Sequence, residues 1–167
     1  MIQDTPSTRA SLSTALHVSR WVAEVASGCP YASVDSLLPV ADLAARSLSA
    51  AEVDEALSTH PRIGSAGSGS SASLSRSEQA ASSTDDPALV AAMAAGNAAY
   101  EERFGRIFLI RAAGRSRPEI LAELQRRLTL SDAEESREVA DQLRQIALLR
   151  LPVLFAPPSA SSSPEVS

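Results

Sequence analysis

The chain has 167 residues, a net charge of −5, one cysteine and two histidines, and all fifteen basic residues are arginine. Without lysine there is no Schiff-base lysine and no usual anchorage for pyridoxal phosphate. The lone Cys29 excludes an internal disulfide and a thiolate zinc cluster, so no metal is expected.

The acidic balance argues against a broad nucleic-acid footprint. No charged leader with an apolar stretch opens the chain, and no run of about 18 apolar residues occurs. The reading is a soluble, cytoplasmic protein without membrane association. Hydrophobic residues make up 44% of the chain and aromatics only 4%, with alanine and leucine dominant. That mix favours packed helices over β-rich sheets. The expected fold is all-α, a single compact multi-helix domain of roughly seven to eight helices. It should span residues 8–155, after a polar, frayed start and before a disordered Pro/Ser/Ala-rich tail at 156–167.

In chain order, Leu12, Ala15 and Leu16 start a helix that Trp21, Val22 and Val25 continue or restart. Val34, Leu37, Leu38, Ala41 and Ala44 share a face at helical spacing. Ser49-x-x-Glu52 is a capping box opening a helix through Val53, Ala56 and Leu57. Pro61 should end that helix at His60, because a residue before proline disfavours the α region. Residues 64–74 read as a flexible loop, either linker or lid. Ser75-x-x-Glu78 is a second capping-box pattern.

Asp86-Pro87 opens the next helix with an N-cap acid and an N1 proline, and Phe104-Gly105 ends it. Arg106 to Ala112 has the composition of a strand but no second strand to pair with, so it reads as extended or short-helical core. Ser116-Arg117-Pro118-Glu119 opens a helix to about Leu128. Ser131-Asp132-Ala133-Glu134 opens the last, through Ile146 to Leu151.

His60 is the first candidate for chemistry, since histidine titrates nearest neutral pH. At a helix end it can equally cap exposed carbonyls. Ser75 and Glu78 can cap a helix or face an anion at its N-terminus, and spacing alone favours the cap. Asn97 stands among core residues and is read as fixing a neighbouring loop.

In order, Trp21-Val22-Ala23, Pro30-Tyr31, His60-Pro61-Arg62-Ile63-Gly64, Ser75-x-x-Glu78-Gln79 and Asn97-x-x-Tyr100-x-x-x-Phe104-Gly105 form a recognisable series. Phe108-x-Ile110, Gly114-x-Ser116 and Arg127-Leu128 complete it. Over residues 10–152 the chain resembles the 2-oxo-4-hydroxy-4-carboxy-5-ureidoimidazoline (OHCU) decarboxylases of urate breakdown. The resemblance implies an all-helical homodimer that uses neither metal nor organic cofactor and converts OHCU to (S)-allantoin. It implies His60 as catalytic acid/base, with Glu78 as its partner at the substrate hydroxyl and ureido group. Pro61, Ser75, Arg76, Ser77, Gln79 and the backbone of Phe108, Leu109, Ile110, Arg111 and Ala112 would line the pocket. Arg127, or the adjacent Arg126, would meet a substrate carboxylate. Two positions depart from the family: Thr129-Leu130 replaces a frequent asparagine, and Arg111 replaces a small residue. The alternatives are a helical binding module without turnover and a helical regulator, the latter disfavoured by the lack of a basic recognition helix.

Overall fold

In a computed structural model, residues 1–60, 63, 70–80 and 86–156 are described. Most of the expected 64–74 loop and all of the expected tail from 157 onward lie outside them. The described residues form eight helices: α1 Pro6–Ala15, α2 Ser19–Ser27, α3 Val34–Ala45, α4 Ala50–Leu57, α5 Ser70–Ala80, α6 Pro87–Phe104, α7 Arg117–Arg127 and α8 Asp132–Leu154. No sheet is present among them, only an isolated antiparallel bridge between Ile2 and Tyr31. The all-α expectation holds.

Local chemistry sets most helix starts. Ser49/Glu52, Ser116/Glu119 and Ser131/Glu134 are reciprocal capping boxes at α4, α7 and α8. Each pair satisfies N–H groups that a helix start leaves unpaired. Asp86 caps α6 ahead of Pro87, and Gly105, at φ 66°, closes it in the left-handed region. Glycine enters that region without steric cost.

Two boundaries differ from the sequence reading. The start of the chain is not frayed: Ile2 N–H donates to Tyr31 O at 2.7 Å and Tyr31 N–H to Ile2 O at 2.9 Å. Thr5 Oγ1 then accepts from Thr8 N–H at the head of α1. Helix α5 begins at Ser70, inside the expected loop, so Ser75 lies in its interior and not at its start. Serine is a mediocre helix former, but packing of α5 on α1 outweighs the local preference.

The long α8 is the spine. It packs on α1, α3 and α4, burying Val139, Leu143, Ile146, Ala147 and Leu151 against Trp21, Leu37 and Ala41. Trp21 is fully buried and donates its indole N–H to Ala41 O at 3.0 Å. A second apolar cluster holds Met93, Tyr100, Ile120 and Leu124. There α6 meets α7 at Gly96, where a Cβ would come within 2.5 Å of a Leu124 methyl.

The stretch from Ile107 to Ala112 joins the two clusters. Ile107 and Leu109 belong to the first, and Phe108, Ile110 and Ala112 to the second. Alternation with period two is what an extended chain produces between two apolar layers. Arg111 N–H donates to the Gln142 side chain at 2.8 Å, so a side chain does the work of a neighbouring strand.

Trp21→Ala should cost about 3–5 kcal/mol through lost burial and the cavity left behind. Urea unfolding followed by far-UV circular dichroism would show this as a lower midpoint. A loss under about 1 kcal/mol, the level of a well-tolerated core swap, would contradict this packing.

Candidate active site

His60 follows the last turn of α4, its N–H donating to Leu57 O at 3.1 Å. Its ring is partly buried. Burial, and then the positive charge of Arg150, push its pKa down to about 3. A group displaced this far is uncharged at neutral pH.

Arg150 comes from α8, and its side chain is only 2% exposed. Its Nε donates to one oxygen of Glu78 at 2.8 Å and a terminal nitrogen to the other at 3.0 Å. A longer contact of 3.4 Å reaches Thr14 O on α1. A buried guanidinium needs such a two-point carboxylate partner to offset its desolvation. Glu78 on α5 is thus tied to α8, and the same arginine acts on His60 after α4. Arg150, a residue absent from the sequence expectation, is the group that acts on both. The signal for Arg150 was its register: it falls on the face of α8 that carries Val139, Ile146 and Leu143, an arginine in an apolar stripe.

Ile63, three residues beyond His60, packs in the cluster that contains Ile110 and Ala112. This places the 108–112 stretch beside the His60 segment. Asn97 Nδ2 reaches Ile63 O at 3.5 Å, while its Oδ1 is buried with no hydrogen-bond partner among the described residues.

The other anticipated lining residues are distributed unevenly. Gln79 is half-buried, Arg76 and Ser77 are exposed, and Ser77 Oγ donates to Leu74 O in its own helix at 2.8 Å. Pro61 and the Ser75 side chain lie outside the described residues. Phe108, Leu109, Ile110 and Ala112 are buried, while Arg111 is half-buried. Two main-chain groups of that stretch are already engaged, Leu109 O by Arg127 and Arg111 N–H by Gln142.

Arg127 does not fit the carboxylate-binding role expected of it. It is fully buried. Its Nε donates to Glu135 Oε2 at 3.0 Å and a terminal nitrogen to Leu109 O at 2.7 Å. Its guanidinium also stacks 4.7 Å from the Phe108 ring centroid. Tyr100 O–H donates to the same Glu135, and burial together with that carboxylate pushes the phenol pKa up to about 12. The carboxylate that Arg127 meets is internal. Arg126 is exposed and pairs with Glu123 at 3.0 Å and Glu138 at 3.1 Å. Thr129 is also exposed, its hydroxyl donating to Arg126 O at 2.7 Å.

The lowered pKa of His60 has a sign for stability. An unfolded histidine titrates near ~6.5, so between that pH and about 3 the folded chain binds fewer protons than the unfolded one. The contribution is fully present above the unfolded value and is lost as pH falls toward the folded one. The slope in that window is at most about 1.4 kcal/mol per pH unit. Thermal melts from pH 7 to pH 4 should fall more steeply for the wild type than for His60→Gln. Parallel slopes would mean that the ring is not desolvated.

Fold and site together define an all-helical protein in which a buried arginine of α8 grips a half-buried carboxylate of α5 and acts on His60 after α4. The OHCU decarboxylase family pattern matches residues 3–152. The chain is 32% identical over 141 residues to the 2-oxo-4-hydroxy-4-carboxy-5-ureidoimidazoline decarboxylase of Haloferax volcanii, covering 83% of each chain. The chain belongs to the OHCU decarboxylase family, and its enzyme class is that of a carboxy-lyase. It is also 29% identical over 143 residues to a bifunctional uric acid degradation protein of Arabidopsis thaliana, covering 83% of this chain but 44% of that protein. Among solved structures, an OHCU decarboxylase crystallised in the presence of (S)-allantoin superposes with a TM-score of 0.73 at 24% identity, covering 87% of this chain and 96% of that one. An (S)-allantoin synthase does so with a TM-score of 0.62 at 19% identity, covering 90% of this chain and 51% of that one. At these identities the structural likeness speaks for the fold.

Proposed function

We propose that this chain decarboxylates OHCU to (S)-allantoin in urate degradation, with His60 as the proton carrier and Glu78 as the group that orients substrate. The observation that carries the reading is membership of this family, supported by the buried Arg150 that grips Glu78 and acts on His60.

The substrate's name places a hydroxyl and a carboxyl on one ring carbon and a ureido group on the next. When the bond to the carboxylate breaks, carbon dioxide leaves and the electron pair enters the neighbouring ring C=N. The ring nitrogen takes up a proton from solvent, and an enol remains. Neutral His60 accepts the enol O–H proton as the oxygen becomes the product carbonyl. The imidazolium so formed returns a proton to the ureido-bearing carbon. General acid–base transfer of this kind contributes about 10²–10⁴-fold. Because the ring is held on one side, the proton arrives on one face and the product is one-handed. Arg150 sets the local charge: it disfavours a resting imidazolium and favours the anionic state formed when carbon dioxide leaves.

Pro61, Ser75, Arg76, Ser77, Gln79 and the backbone of 108–112 complete the substrate's surroundings in this reading. In this reading the helical domain works as a homodimer in the cytoplasm. No helix among the described residues is long and apolar enough to cross a membrane.

Freshly generated OHCU should decay faster with the protein than without it, and the product should show circular dichroism of a single sign. A racemic product formed at the uncatalysed rate would sink the enzyme reading and leave a binding module.

A further inference from the structure

Gln142 is a polar side chain on the apolar face of α8. It is only 6% exposed, in a helix that buries Val139, Leu143 and Ile146 around it, and a buried amide there needs a hydrogen-bonded partner. Its Oε1 accepts the Arg111 N–H at 2.8 Å. It stands about 12 Å from Arg150 along the helix, away from the Glu78–Arg150 pair.

This bond falls where apolar packing stops. Ile107 and Leu109 fasten one side of the extended stretch to the first apolar cluster. Alternation puts Arg111 on that same side, but it is half-buried and belongs to neither cluster. Beyond it the chain turns at once: Arg115 N–H donates to Ala112 O at 3.0 Å, and Gly114 has φ 78°. Packing and Arg127 both hold Leu109; at Arg111, Gln142 supplies the hold.

Arg111 N–H and Ile110 C=O belong to one planar trans peptide and point in opposite directions. Fixing the N–H against α8 therefore fixes the Ile110 carbonyl pointing away from α8. That carbonyl accepts no hydrogen bond among the described residues. Ile110 shares its cluster with Ile63, three residues beyond His60.

We propose that Gln142 is a positioning residue for the substrate: by gripping the Arg111 N–H it aims the Ile110 carbonyl at an N–H donor of the ureido group. This rests on the decarboxylase reading, in which the backbone of 108–112 surrounds OHCU. A carbonyl that receives a substrate N–H adds binding without moving a proton, so its loss acts on KM and not on kcat.

Steady-state kinetics of Gln142→Met and Gln142→Glu test the role. Methionine keeps the length and loses the acceptor, while glutamate keeps an oxygen in the same place. Gln142→Met should raise KM about tenfold, the worth of a single hydrogen bond, with kcat little changed. Gln142→Glu should keep a KM near that of the wild type. Val25→Ala, a fully buried change on α2, should lower the melting temperature without raising KM, which separates loss of aim from general loosening. Wild-type KM in Gln142→Met, or an equal rise in all three variants, would overturn this role alone. Amide exchange at Arg111, followed by NMR without substrate, tests the grip itself. The wild-type N–H should be protected and should exchange about tenfold faster or more in Gln142→Met. An unprotected wild-type amide would overturn the inference whatever the protein turns over. A wild type that fails to speed OHCU decay would instead overturn the decarboxylase reading, and the substrate role of Gln142 with it.

Discussion

Replacing His60 by glutamine should lower kcat by about 10²–10⁴-fold, the usual contribution of a positioned acid–base group, while leaving the chain folded. Glutamine fills similar space and offers hydrogen-bonding atoms, but it cannot take up and return a proton. The product's handedness is the sharper readout. Without a ring to deliver the proton from one face, the residual reaction should yield less one-handed allantoin. The pH profile adds a second discriminating measurement. Because His60 is pushed down to about 3, kcat/KM of the wild type should show no acid-side fall near ~6.5, where an unperturbed histidine would titrate. Near-wild-type turnover of His60→Gln would move the proton-carrying role to Glu78. A fall centred near ~6.5 in the wild type would mean that the free enzyme hydrates the ring more than this packing allows.

What could be read from residues was mainly local. Ser49/Glu52, Ser116/Glu119 and Ser131/Glu134 announce helix starts because each cap is satisfied within one turn. Ser75-x-x-Glu78 has the same pattern and a different fate, since the helix had already begun at Ser70. Glu78 is consequently available to Arg150, which lies 72 positions further along the chain. No short-range pattern encodes that pairing. The strand-like look of Ile107 to Ala112 was real alternation, and only the tertiary structure reveals two apolar clusters in place of a sheet. His60 was legible as a candidate, but its protonation state was not, because that depends first on burial of the ring and then on an arginine brought in by α8.

Arg127 and Arg150 separate the two uses of a buried arginine, and Arg127→Met is the variant that tests the separation. Removing the guanidinium leaves Glu135 fully buried without its cation, a change that costs about 3–5 kcal/mol. Domains have about 5–15 kcal/mol in total, so the single variant should melt far below the wild type. The double variant Arg127→Met, Glu135→Leu removes both charges and should recover most of the loss, because an apolar pair of similar volume carries no desolvation cost. The Tyr100 hydroxyl then loses its acceptor, so recovery stays incomplete. Thermal melts measure the first effect, and steady-state kinetics of the double variant measure the second. If Arg127 only holds Glu135 and Leu109 O, the double variant keeps the wild-type KM and kcat. A large rise in KM in a well-folded double variant would return Arg127 to the substrate carboxylate. Arg150→Met should behave oppositely, losing turnover even in whatever fraction stays folded, because Glu78 and His60 both depend on its charge.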